Sequence, residues 1–174
     1  MTVLVLPENI CIQTKNYPNN IGKKTLEKFQ QQYILERQAG HLLRRARQRH
    51  STIFQENIGD PQLTPLQFAA LVKLRDLGKV SQNHLGRLTA MDAATMQGVI
   101  QRLGVRGLIA RRPDPKDRRR LIISLSNEGK KTISKLVEFA KNITNETLAP
   151  LSLSEKNTFL LLLTKVVELD TSEN

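Results

Sequence analysis

The sequence predicts a mainly α chain carrying one small β-hairpin, and three observations point that way. Apolar residues recur at steps of three and four over most of its length, the spacing that places them on one face of a helix. Thr64, Ser81, Asp92 and Ser126 each stand just before such a run, where a short polar side chain caps the first turn. Between Gly107 and Ser126 two short runs, Leu108 to Arg111 and Leu121 to Leu125, are β-prone, and a charged, turn-forming segment separates them.

A chain of 174 residues is long enough for one sizeable core and short for two independent domains. Its net charge of +11 suits a nucleic-acid partner, but ribosomal and membrane-surface proteins share that bias, so the placement of the charge decides more than its total. Hydrophobic residues make up 39%, aromatics 4%, and there is no Trp, which predicts a core of Leu, Ile, Val and Ala, the usual filling of helical bundles and winged helices. The single cysteine, Cys11, excludes an intramolecular disulfide and any multi-cysteine metal site, and fits a reducing cytoplasm. The opening MTVLVLPENICI lacks the basic start of a signal peptide. The longest apolar run, Phe159 to Leu163, falls far short of the roughly 20 residues that span a bilayer, so no membrane partner is expected.

Residues 1–24 read as an extended arm, with β-prone Val3 to Leu6 ahead of Pro7 and the turn-rich Asn16-Tyr17-Pro18-Asn19-Asn20. Residues 25–174 are expected to fold as a single unit. From Thr25 to Asn57 the pattern is helical, with Leu35, Ala39, Leu42, Leu43, Ala46, Ile53 and Phe54 on one stripe. His50 falls on that apolar face with Arg45, Arg49 and Ile53 within about a turn, and His41 sits at the stripe's edge. Such a histidine is either satisfied by a backbone carbonyl or, between an apolar wall and cationic donors, holds a small organic anion. Gly59-Asp60-Pro61 breaks the chain. Thr64 with Pro65 then opens a helix that buries Phe68, Leu71, Val72 and Leu74 and ends at Gly78.

Ser81 caps a short helix expected to bury Leu85 and Leu88, and after the tight connection Thr89-Ala90-Met91, Asp92 caps a second one. In that second helix Met96, Val99, Ile100 and Leu103 form the buried stripe. The opposite face carries Thr95, Gln97, Gly98, Gln101 and Arg102, polar or small and never acidic, so it can enter a major groove without repelling phosphate. Gln97 and Gln101 lie one turn apart, and a glutamine can pair bidentately with adenine. Gly107 stops the helix. Between Arg102 and Arg120 the basic residues 102, 106, 111, 112, 116, 118, 119 and 120 face only Asp114 and Asp117, a surplus that seeks polyanions.

Ser126 opens a long helix whose Ile133, Leu136, Val137, Ala140, Ile143, Thr147 and Leu148 recur at close to a coiled-coil period, and Pro150 ends it. A last helix, capped by Ser154 or by a box of Ser152 with Glu155, aligns Phe159, Leu160, Leu163, Val166 and Val167. First and last helices with apolar seams and no sheet to cover need partners, and a two-fold dimer supplies them.

These residues resemble the MarR family of bacterial winged-helix transcription regulators, through LTPLQFAALVKL, LTAMDAATMQGVIQRL and above all GLIARRPDPKDRRRLIISLSNEG, over about Tyr33 to Leu169. The resemblance implies a winged helix-turn-helix at 63–125, set between long N- and C-terminal dimerisation helices at 25–62 and 126–174, with a small β-hairpin wing. In that family the wing aspartate, here Asp117, orients the arginine, here Arg119, which enters the minor groove. DNA contacts are expected at Ser81, Thr95, Gln97, Gly98, Gln101 and Arg102, and in the wing at Arg112, Lys116, Asp117, Arg118 and Arg119. The chain departs from the family at Gly98 and Gly104, where larger side chains are common, and each helical glycine costs about 1 kcal/mol relative to Ala. Family members that sense peroxides carry their cysteine in the first helix, whereas Cys11 lies well upstream of Tyr33 and reads as an ordinary apolar cysteine.

HLLRRARQRH and ATMQGVIQRL resemble the members that control breakdown of aromatic acids, which implies an aromatic carboxylate as effector, with His50, Arg45, Arg49 and His41 as its candidate ligands. The expected function is a sequence-specific regulator, a repressor released by that effector, bound as a homodimer to a pseudo-palindromic site in double-stranded DNA. Its half-sites would lie one helical turn, roughly 34 Å, apart. A sequence-indifferent architectural protein would use the same basic surface. An enzyme is not expected: there is no phosphate-cradling glycine loop, zinc spacing or nucleophile elbow, and His50 and Ser51 on a helix point about 100° apart. No cofactor or metal is expected either.

Overall fold

The computed structural model describes residues 33–117 and 120–168, together with the short strands Leu4–Val5 (β1) and Cys11–Ile12 (β2). Residues 25–32 of the expected first helix lie outside the described residues, as do Arg118 and Arg119. The chain divides into two compact units, Met1–Leu43 and Arg44–Asn174.

In the first unit β1 and β2 pair antiparallel, with Leu4 opposite Ile12 and Val5 opposite Cys11. Leu35–Arg37 forms a single 3-10 turn, and Gln38 is extended at φ −79° and ψ 136°. The expected helix is therefore interrupted here, because an extended Gln38 cannot pass the turn on. Helix α1, Ala39–Asn57, starts afresh when the Gln38 carbonyl accepts from the Leu42 amide at 3.0 Å.

The second unit holds the remaining elements: the rest of α1, then α2 (Pro65–Leu77), β3 (Lys79–Ser81), α3 (Gln82–Leu88), α4 (Ala93–Val105), β4 (Ile109–Pro113), β5 (Leu121–Leu125), α5 (Asn127–Thr147) and α6 (Leu153–Glu168). Four of the caps read from the sequence form as expected. Thr64 and Gln67 make a reciprocal capping box, and the side chains of Ser81, Asp92 and Ser126 accept from the amides of His84, Thr95 and Gly129. The last helix is capped by Ser152, not Ser154: Glu155 accepts from the Ser152 amide at 2.8 Å and donates its own amide to the Ser152 hydroxyl. Only Ser152 has a carboxylate three residues on, so only Ser152 can close the box.

The sheet runs β3-β5-β4, all antiparallel, with Val80 and Arg111 both opposite Ile123. The hairpin is two pairs longer than its β-prone runs suggest, because Arg112 and Pro113 pair with Ile122 and Leu121. Pro113 is tolerated because β4 is an edge strand, where a missing N–H leaves no ladder bond unmade.

Leu63, Leu71, Leu74, Leu85, Met96, Val99, Leu103, Ile123 and Ile133 form one buried core under the sheet and helices. Leu88, expected in it, is 39% exposed. In so short a helix the buried face is set by Leu85, Gly86 and half-buried Thr89, whose mean direction lies about 110° from that of Leu88. Phe54 is buried, but Leu42 and Leu43 further up α1 are exposed, and so are Phe159, Leu160, Val166 and Val167 on α6. No helix among the described residues is long and apolar enough to cross a membrane.

Candidate nucleic-acid interface

Helix α4 is fixed at both ends. At its start Asp92 accepts from the Thr95 amide and, through its other oxygen, from the Thr95 hydroxyl, both at 2.8 Å. The Thr95 amide first, then its hydroxyl, hold the Asp92 carboxyl below the usual carboxylate range. Because its one proton points at Asp92, Thr95 presents a methyl and an acceptor outward rather than a donor. At its end Gly107 takes φ +67°, and the Leu108 amide turns back to the Leu103 carbonyl at 3.0 Å, closing the helix where a residue with a Cβ would be strained.

Met96, Val99, Ile100 and Leu103 face the core, while Gln97, Gln101 and Arg102 are exposed and Thr95 and Gly98 half-buried, so the sequence-predicted reading face stands free. Its two glycines have a visible consequence. A Cβ on Gly98 would lie 3.3 Å from a guanidinium nitrogen of Arg102, and one on Gly104 3.4 Å from the guanidinium of Arg111. Arg102 therefore lies back along the helix over Gly98 instead of extending from it.

Ser81 ends β3 opposite Ile122 and caps α3 in one stroke. With Gln82, Asn83, Leu121 and Arg120 it lines a cleft of about 150 Å³ where the first helix of the helix-turn-helix meets the base of the wing. Arg120, read from the sequence only as part of the basic run, thus joins the candidate surface. Arg112 is exposed on β4, and the wing loop is shaped by the Asp114 carboxylate accepting from the Lys116 amide at 2.9 Å and by the Asp114 amide donating to the Arg120 carbonyl at 2.9 Å. Asp117 is half-buried, and its expected partner Arg119 lies outside the described residues.

The residues proposed for an effector fall elsewhere. His41 is half-buried in the first unit. In the second, Arg45 is exposed, and Arg49 donates to the carbonyls of Glu146 and Thr147, capping the C-terminal end of α5. His50 Nδ1 lies 3.1 Å from the Thr147 hydroxyl, a side-chain partner rather than the expected carbonyl. The Thr147 hydroxyl already donates to the Ile143 carbonyl, so its oxygen accepts, and His50 carries its proton on Nδ1. Burial holds the imidazole below its ordinary value, and its ring leans on Phe54 with centroids 6.2 Å apart.

A helix anchored on one face with polar and basic groups on the other, beside a basic antiparallel hairpin, defines a winged-helix, DNA-binding transcription regulator. Residues 62–120 match the MarR family. The chain is 41% identical over 138 residues to the HTH-type transcriptional repressor NicR of Pseudomonas putida, covering 79% of this chain and 87% of that protein. Among solved structures it is similar to BpsR of Bordetella bronchiseptica, whose DNA binding is regulated by 6-hydroxynicotinic acid, at 42% identity and a TM-score of 0.74 over 79% of this chain and 98% of that one. A probable transcriptional regulator from Pseudomonas aeruginosa matches at 49% identity and a TM-score of 0.73, over 76% of this chain and 99% of that one. The chain belongs to the MarR family.

Proposed function

We propose that this regulator is a homodimeric repressor that binds a pseudo-palindromic operator and leaves it when a small aromatic carboxylate binds. The exposed pair Gln97 and Gln101 on the anchored α4 carries the proposal. Helix α4 enters the major groove with Thr95, Gln97, Gly98, Gln101 and Arg102 toward the DNA. Ser81 at the start of α3 meets the backbone, and Arg112, Lys116, Asp117, Arg118 and Arg119 of the wing flank the minor groove. The exposed apolar residues on α1 and α6 support pairing with a second copy. No catalytic step or cofactor belongs to this function, and the protein works in the cytoplasm.

Binding to the chain's own upstream DNA tests it. An operator preference of at least about 10³ over unrelated DNA is expected, with affinity falling with salt at a log-log slope steeper than about −3. Binding within a few-fold for all sequences would instead mark an architectural protein. Gln97→Ala should cost about 1–3 kcal/mol at particular base pairs, and a uniform loss across sequences would remove Gln97 as a base reader. Sedimentation should show a dimer, and a monomer at operator-binding concentrations would defeat the two-half-site arrangement.

For the effector, the half-buried imidazole of His50 is the central candidate, with Arg45 and Arg49 within about a turn of it in sequence and His41 earlier on α1. The relative whose DNA binding responds to a hydroxynicotinic acid supports this chemistry. With Nδ1 engaged by Thr147, a carboxylate would meet Nε2, and only the imidazolium donates there. Because burial lowers its pKa, the free protein holds His50 neutral near pH 7, so carboxylate binding takes up a proton and tightens as pH falls. Effector titrations of the operator complex should reach their midpoint at lower concentration near pH 6 than near pH 8, and His50→Gln should flatten that dependence. An unchanged pH dependence in the variant would take His50 out of the site.

A further inference from the structure

A glycine inside a helix weakens it, and folding asks for one where φ is positive or where another stretch of backbone comes close. Neither holds at Gly98. Its φ is not among the positive ones, and the three atoms nearest to a Cβ built there all belong to the Arg102 guanidinium, at 3.3, 3.6 and 3.7 Å. At Gly129, by contrast, the nearest atoms are all backbone. We infer that Gly98 is a positioning residue for DNA recognition: it seats the Arg102 guanidinium over the middle of the reading face, where the guanidinium reads a guanine in each half-site. The inference rests on the proposed entry of α4 into the major groove, and it adds a third base-reading group to Gln97 and Gln101.

Successive residues of a helix turn by about 100°, so Gly98 and Gln101 stand about 30° either side of the direction opposite the buried stripe, and Arg102 and Gln97 about 70° either side. An arginine extended outward from the flank at 102 would meet the rim of the groove, where the phosphates lie. Leaning over Gly98, the guanidinium comes instead to the centre of the face. It also comes about 6 Å, one turn, nearer the start of α4, the end from which a recognition helix contacts base edges.

The guanidinium is exposed, it has no hydrogen-bond or ion-pair partner among the described residues, and α4 contains no acidic residue to supply one. All its donors are therefore open to DNA. Their planar fork matches O6 and N7 of guanine, whereas a glutamine amide matches adenine. A guanidinium already resting in its seat also loses less rotamer freedom on binding than one moving freely in water.

Selection of bound duplexes from a randomised double-stranded DNA library, by the full chain and three variants, tests the inference. Wild type should fix a G·C pair beside the base pairs that Gln97→Ala affects. Arg102→Ala, Gly98→Val and the double variant should each lose that preference, by about 10-fold or more and to the same extent, while the other positions keep theirs. Valine is a better helix former than glycine, so Gly98→Val should melt no lower than wild type, which separates lost reading from lost folding. If Gly98→Val harms binding equally with and without Arg102, the glycine only makes room for DNA and the inference is overturned. It is overturned too if Arg102→Ala weakens binding to every sequence by one factor, with a salt slope shallower by about one, the mark of a phosphate contact. Both of those outcomes leave the regulator standing, whereas a wild type that selects no sequence overturns the regulator and this inference together.

Discussion

Gly129→Ala is expected to destabilise the chain by about 3–5 kcal/mol, a large part of the 5–15 kcal/mol that holds a typical domain folded. A Cβ there would stand 1.9 Å from the Leu108 carbonyl oxygen and 2.9 Å from its carbon. Both obstacles are backbone, so no rotamer change relieves them and α5 must move off the start of the hairpin. That joint holds three hydrogen bonds: the Ser126 amide to the Leu108 carbonyl at 3.1 Å, the Ser126 hydroxyl to the Gly107 carbonyl at 2.6 Å, and the Gly129 amide to the Ser126 hydroxyl at 2.9 Å. Moving α5 by the required ångström loses most of them together with the cap. Urea unfolding measures the effect, and a midpoint within error of wild type would mean that helix and hairpin are not in contact at this joint.

Asp60→Ala should cost about 2–3 kcal/mol. The Asp60 and Arg106 side chains are 17% and 23% exposed, so removing the carboxylate leaves a guanidinium that water reaches poorly, at the end of the helix that carries the reading face. The loss comes mainly from the abandoned charge. Arg106→Leu abandons the Asp60 carboxylate in the same way, and the double variant, which leaves neither charge, should be more stable than the two single losses predict. Strict additivity in that cycle would show that the two groups do not interact in solution. Asp60 also accepts from the Gln62 amide at 3.1 Å, so Asp60→Asn, which keeps an acceptor for that turn, separates the loss of charge from the loss of the turn.

What could be read from the sequence was local. Thr64, Ser81, Asp92 and Ser126 were legible as caps because a cap and its amide are three residues apart, and the stripe of Met96, Val99, Ile100 and Leu103 because a helix repeats its own geometry. The box of Ser152 with Glu155, which forms in place of a cap at Ser154, was legible as the alternative because that signal too is local. The contacts that the sequence hid join distant residues: Arg106 to Asp60, Arg49 and His50 to the end of α5, and Gly129 to Leu108. No periodicity encodes such pairs. Leu88 was misplaced for a related reason, since a two-turn helix buries whichever face its neighbours cover, and Gly86 against Met91 and Met96 settles that choice.

The way the hairpin is fastened bears on how this surface can change over evolutionary time. Its base is fixed by the joint at Leu108, Ser126 and Gly129, and five cross-strand pairs carry that rigidity out to Pro113 and Leu121. Beyond the last pair, turn bonds join Asp114 to Lys116 and Arg120, and the described residues between 114 and 120 contribute no buried apolar side chain to the core. The length of this segment is therefore nearly uncoupled from folding: doubling a closed loop costs only about 0.6 kcal/mol of closure entropy. Duplicated copies of such a gene could exchange or lengthen this tip, altering its reach and charge along the DNA, while the rest of the molecule keeps its fold and its stability.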